Sequence, residues 1–205
     1  GLAQGAKAVS ERVLSAIGDV HGLAARLGAL HDLIDADIAR HGAPATIIHI
    51  GDLVDRGPDS AGCVERAMRL ESIASSRLQV MTLLGNHEQM MLDACFSPDD
   101  PAILRQWTYN GGDRAIDSYR RSYGGGRADW RASVPEEHLA WLGGLNTLYF
   151  EPTRKLAFVH AGIDPQSFPN CPDEIRIWTR SEKFFNPQRW PHRPELEGLC
   201  VVHGH

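Results

Sequence analysis

An α/β fold with parallel strands is predicted by three observations on this 205-residue sequence. Five short apolar runs each stop at a cluster of Gly, Asp, Asn or His. Between the first three runs, apolar residues return every three or four positions, the period of an amphipathic helix. Strands that alternate with helices pair in parallel, and such a sheet gathers its ligand site beyond the carboxyl ends of its strands.

The elements follow in chain order. GLAQGAKAVS (1–10) lacks the long apolar core of a signal peptide and reads as a flexible leader before a single domain over 11–205. VLSAIGDVHG (13–22), TIIHIGDLVDRG (46–57) and VMTLLGNHE (80–88) are strands ending in tight loops, with helices over 23–42 and 60–75 between them. Segment 93–144 reads as short helices broken by glycine, placed to form a helical cap beside the site. NTLYFE (146–151) and KLAFVH (155–160) form a hairpin that delivers His160. The stretch 163–198, with Pro165, Pro169, Pro172, Pro187, Pro191 and Pro194, reads as loop with one helical piece near DEIRIW, and loops of that length usually serve a site. LCVVHGH (199–205) is a last strand carrying two imidazoles to the same rim.

Composition narrows the function. A net charge of −5 provides no general basic field, which argues against a partner in duplex nucleic acid, and no apolar run approaches the roughly 20 residues of a membrane span. Cys63, Cys95, Cys171 and Cys200 form no C-x-x-C pair, which points to reduced thiols and a cytoplasmic location. The oligomeric state is left open.

The loops together carry Asp19 and His21, then Asp52, Asp55 and Arg56, then Asn86 and His87, then His160, and finally His203 and His205. A lone Gly-Asp after a strand is ordinarily a turn, and a lone histidine is ordinarily structural. Five such clusters after five apolar runs are not independent accidents. Carboxylate, imidazole and amide oxygen together suit Mn, Fe or Zn, whereas an all-oxygen set would suit Mg or Ca. The donors are too many for one ion. With one bridging carboxylate, two ions about 3.5–4 Å apart can share a water, which is a hydrolytic arrangement. His49, inside TIIHI, reads as a satisfied core histidine rather than a ligand.

GDVHG (18–22), GDLVDRG (51–57), GNHE (85–88), HAG (160–162) and HGH (203–205) match, in order and approximate spacing, the motifs of calcineurin-like metallophosphoesterases. GNHEQMM with NGG (110–112) and WTR (178–180) resembles the phosphoprotein phosphatase branch, in particular bacterial serine/threonine phosphatases of the bacteriophage lambda type. The resemblance implies a four-layer α-β-β-α sandwich of two mixed sheets flanked by helices. It assigns Asp19 and His21 to a first metal, Asp52 to both metals, and Asn86, His160 and His205 to the second, with manganese first among the candidates. His203, two positions upstream, is held either as a support of the ligands or as a structural residue. Family members continue beyond this last histidine, so the chain is expected to stop short of the full fold.

The chemistry implied is in-line attack on phosphorus by a metal-bridging hydroxide, with His87 protonating the leaving alkoxide. Asp55 would orient His87, while Arg56 and Arg180, with Asn86, would hold the remaining phosphate oxygens. The substrate expected is a phosphorylated protein or a small phosphoester. The nearest alternative is a symmetrical bis(5'-nucleosyl)-tetraphosphatase (diadenosine tetraphosphate hydrolase), whose sequences typically place Asp after GNH and lack the Asp of DRG. Glu88 and Asp55 here favour the phosphatase branch. An inactive metal-binding regulatory module is the alternative from another class.

Overall fold

A computed structural model describes residues 12–205, so the leader expected over 1–10 lies outside the described residues. The chain begins β1 (Val13–Ile17), α1 (Ala24–His41), β2 (Ala45–His49), α2 (Ser60–Ser72), β3 (Leu78–Thr82). The three strands pair in parallel in the order β1-β2-β3, as the alternation with helices predicts. Their last residues, Ile17, His49 and Thr82, are in register, so GDVHG, GDLVDRG and GNHE leave the sheet at one edge. Central β2 is buried at every residue, which is why it reads as an unbroken apolar run. His49 within it is satisfied, with Nδ1 3.1 Å from Thr82 Oγ1 and Nε2 2.9 Å from His31 Nε2. Burial lowers its pKa to about 3 and keeps it neutral.

The second sheet is mixed: β4 (Leu148–Glu151) runs antiparallel to β5 (Leu156–Val159), and β6 (Cys200–Val202) pairs in parallel with β5. Mixed pairing, expected of both sheets, is seen here alone among the described residues, because helical crossovers oblige β1, β2 and β3 to be parallel. Ile48, Ile50 and Leu83 pack with Phe158 between the sheets. Helices cover the outer faces and complete a mixed α/β architecture of two sheets flanked by helices.

Segment 93–144 is helical and shares the core of the first sheet. α3 (Asn86–Phe96), α4 (Pro101–Trp107), α5 (Asp113–Tyr123) and α6 (Glu136–Gly143) bury Met91, Trp107, Ala115, Tyr119 and Leu142 there. Between α4 and α5, Gly111 takes φ 100° and its carbonyl accepts the Arg56 N–H at 3.0 Å. A Cβ at Gly111 would lie 2.8 Å from Arg56 Cγ, so the approach of this turn to the DRG loop requires glycine. The proline-rich stretch holds α7 (Asp173–Trp178), α8 (Glu182–Phe185) and a 3-10 turn over Pro187–Arg189, more helix than the single piece expected. No described helix is long and apolar enough to cross a membrane.

Candidate metal centre

The loops at the strand ends adopt backbone that L-residues avoid. His21, Asp52, Asp55, Arg56 and His205 have φ between 45° and 73°, and Lys155 is the one other described non-glycine residue with positive φ. Each such residue costs on the order of 1–3 kcal/mol, so surrounding bonds must hold it. The amides of Val20 and His21 donate to Asp52 O at 2.9 and 2.8 Å, and that of Gly22 to Leu53 O at 2.8 Å. A Cβ on Gly57 would fall 2.0 Å from His21 O, which shows how closely the first two loops pack.

Glu88, fully buried in the first turn of α3, ties the second loop to the third. Its carboxylate accepts from the amides of Asp52 (2.8 Å), Leu53 (2.7 Å), Val54 (3.1 Å) and Gly85 (2.9 Å). Burial and the nearby Asp52 charge push its pKa up to about 7, against the pull of His160 and the amides.

Two groups of donors share Asp52: His21, Asp52 and His87 form one, and Asp52, His160 and His205 the other, each with its donor atoms within 4.8 Å of one another. Their chemistry fits a cation. His160 Nδ1 donates to the Ile50 carbonyl at 2.8 Å, leaving Nε2 facing Asn86 Oδ1 at 2.9 Å and Asp52 Oδ1 at 3.3 Å. His21 Nδ1 likewise donates to Val54 O at 3.0 Å, with Nε2 3.5 Å from Asp52 Oδ2. Imidazoles fixed through one nitrogen, with the other turned toward carboxylate and amide oxygens, are what a metal site requires. The Arg56 guanidinium donates to His21 Nε2 and His87 Nε2, both at 2.9 Å.

His87 is anchored from behind. Its Nδ1 donates to Asp55 Oδ2 at 2.7 Å, and the buried Trp107 indole donates to both Asp55 oxygens at 3.0 and 2.9 Å. Burial raises the Asp55 pKa, with the His87 and Trp107 bonds offsetting part of the rise. At Asp52 burial would raise the pKa too, but the hydrogen bond and charge of His160 and the charges of His87 and His21 outweigh it. His160 is the mirror case, with burial opposing and Asp52 raising it on balance. Burial chiefly lowers His21, and burial with the His160 and Arg180 charges lowers His205 to about 4.

The outer part of the site is looser. His205 Nδ1 lies 3.1 Å from Asn86 Oδ1, and Arg180 Nε donates to His205 Nε2 at 3.2 Å. Asp19, expected beside His21 as a ligand, falls outside both donor groups, and its carboxylate accepts the His205 backbone N–H at 3.1 and 3.2 Å. Arg56 is exposed and makes no turn pair with Asp55, which points inward. His203 packs edge-on against Phe184 and Phe185, a structural contact. Glu88 as a loop anchor and Trp107 as a partner of Asp55 were not expected from sequence. The spacing of GNHE marks Glu88, but nothing local marks Trp107.

A model of the family described as calcineurin-like phosphoesterase matches residues 14–205. A symmetrical bis(5'-nucleosyl)-tetraphosphatase of Pseudomonas fluorescens is 30% identical over 176 residues, 84% of this chain and 51% of that protein. Serine/threonine-protein phosphatase 1 of Salmonella typhimurium is 44% identical over 68 residues, 33% of this chain and 26% of that protein. The crystal structure of a protein put forward as a diadenosine tetraphosphatase superposes with a TM-score of 0.55 at 21% identity, covering 95% of this chain and 80% of that one. The chain thus spans about half the length of the tetraphosphatase it matches.

Proposed function

We propose, for a chain that belongs to the calcineurin-like phosphoesterase family, that it is a metal-dependent phosphomonoesterase acting on phosphoserine or phosphothreonine in proteins. The observation that carries this reading is the buried pair of His87 and Asp55, 2.7 Å apart. Asp19 and His21, the shared Asp52, and Asn86, His160 and His205 would hold two divalent ions, manganese first, with iron or zinc as alternatives. When bound, such ions acidify water and draw charge from phosphoryl oxygens.

The rest is the work of the chain's own groups. Asp55 accepts the Nδ1–H hydrogen bond of His87 and fixes the ring, so that a proton carried on Nε2 can be given to a leaving alkoxide. Arg56 now occupies Nε2 as a donor. A phosphate dianion draws the guanidinium into a bidentate contact, which frees Nε2 to carry its proton. Arg180, beside His205, takes phosphate oxygens from the other side.

A second reading, hydrolysis of a dinucleoside tetraphosphate, is favoured by the breadth of the comparisons. The tetraphosphatase similarity extends over 84% of the chain and the phosphatase similarity over 33%. A nucleotide phosphate leaves as a stabilised anion and asks far less of an acid, so the two readings differ in their need for the His87–Asp55 pair. Purified protein with a fixed manganese loading should turn over a phosphoserine peptide with higher kcat/KM than diadenosine tetraphosphate. The reverse preference assigns the second reading, and bound metal without hydrolysis of either substrate assigns a binding module.

A further inference from the structure

A cavity of about 320 Å³ between α3, α4 and α7 is lined by Met90, Asp93, Ile103, Gln106, Glu174 and Trp178. Its walls adjoin the centre at three points. Met90 lies one turn beyond Asn86 on α3, Gln106 precedes the Trp107 that holds Asp55, and Trp178 packs edge-on against His205 with ring centroids 6.5 Å apart. Its chemistry is the opposite of the phosphate-binding rim. Met90 and Ile103 form an apolar floor, Trp178 offers an indole that is 37% exposed, and the two ionisable side chains are carboxylates. Asp93 takes a hydrogen bond from neutral Gln89 at 2.8 Å, and no Lys or Arg lines the cavity.

We infer that this cavity receives the residues flanking the phosphorylated side chain of a basic phosphopeptide. The inference rests on the phosphomonoesterase reading and names its substrate more closely. A lysine or arginine beside the phosphorylated residue meets Asp93 and Glu174 and can lay its charge over the Trp178 ring, while its methylenes cover Met90 and Ile103. A further phosphate group in the same place meets two carboxylates and no cation. The site therefore separates the two halves of its substrate by charge, with arginines for the phosphoryl group and carboxylates for what bears it.

The test uses manganese-loaded protein and phosphoserine peptides of equal length whose flanking residues are either Lys/Arg or Asp/Glu. The basic peptide should be turned over with kcat/KM about tenfold higher, the size expected of two exposed charge contacts. The double variant Asp93→Asn/Glu174→Gln should bring that ratio close to one by raising KM for the basic peptide. Fluorescence anisotropy of a labelled basic peptide carrying an unreactive phosphonate should show the same weakening without turnover. Equal or acid-favouring rates in the wild type, or a double variant that keeps the wild-type ratio and affinity, overturn the inference. Turnover of p-nitrophenyl phosphate by the wild type tells the failures apart. If it proceeds while the flanks are ignored, this inference alone falls, and if no monoester is hydrolysed, both readings fall.

Discussion

Asp52, Asp55, His87 and His160 are at most 2% exposed, whereas Asp19, Arg56 and Arg180 stand in solvent and His205 is half-buried. The inner four are each held by more than one fixed partner, among them Trp107, the Ile50 carbonyl and the amide of His87, which donates to Asp52 Oδ1 at 3.1 Å. Arg180 has a single side-chain bond, to His205. Buried polar groups must be satisfied and so become part of the fold, while exposed ones keep the freedom to follow a ligand. The inner half should therefore fail as structure and catalyst together, and the outer half as catalyst alone.

The largest effect is expected at Asp52, the residue common to both donor groups. Asp52→Asn should abolish turnover and release metal, as chelation should in the unmodified protein, with elemental analysis and a phosphatase assay as the checks. Full metal content in an inactive Asp52→Asn protein would detach binding from the shared carboxylate. Next comes Glu88→Gln, whose single amide oxygen replaces a carboxylate that four backbone amides converge on. It should destabilise the fold by about 2–3 kcal/mol in urea titration, the scale of a lost charged hydrogen bond. An unchanged midpoint would erase the distinction between the halves. Arg180→Ala should be the mildest, raising KM about five- to tenfold for every phosphate substrate at unchanged melting temperature.

Much of this was legible from residues alone, for identifiable reasons. Each strand of both sheets is an apolar run ended by its own polar loop, and the in-register ends of β1, β2 and β3 then bring those loops together. His49 could be assigned to the core because it interrupts a run that is otherwise buried. Trp107 could not be assigned to Asp55, since 52 residues separate them and the packing of α4 alone joins them. That the Asp19 carboxylate accepts the backbone N–H of His205, 186 residues away, could not be read from GDVHG, since only the fold joins the two ends of the chain. In the proline-rich stretch, six prolines suggest loop, yet Pro172 precedes α7 and Pro187 opens a 3-10 turn. Proline excludes the middle of a helix and suits its start.

The role of His87 decides whether a leaving group is protonated at this site. His87→Asn and the wild type, matched for metal content by elemental analysis, are compared on a phosphoserine peptide and on p-nitrophenyl phosphate, whose phenolate leaves without a proton. A general acid oriented by Asp55 predicts a loss on the order of 10²–10⁴ in kcat for the peptide and a much smaller loss for the aryl ester, with metal retained. Equal losses on both substrates, or loss of metal with the imidazole, would contradict it and make His87 a ligand of the group it forms with His21 and Asp52.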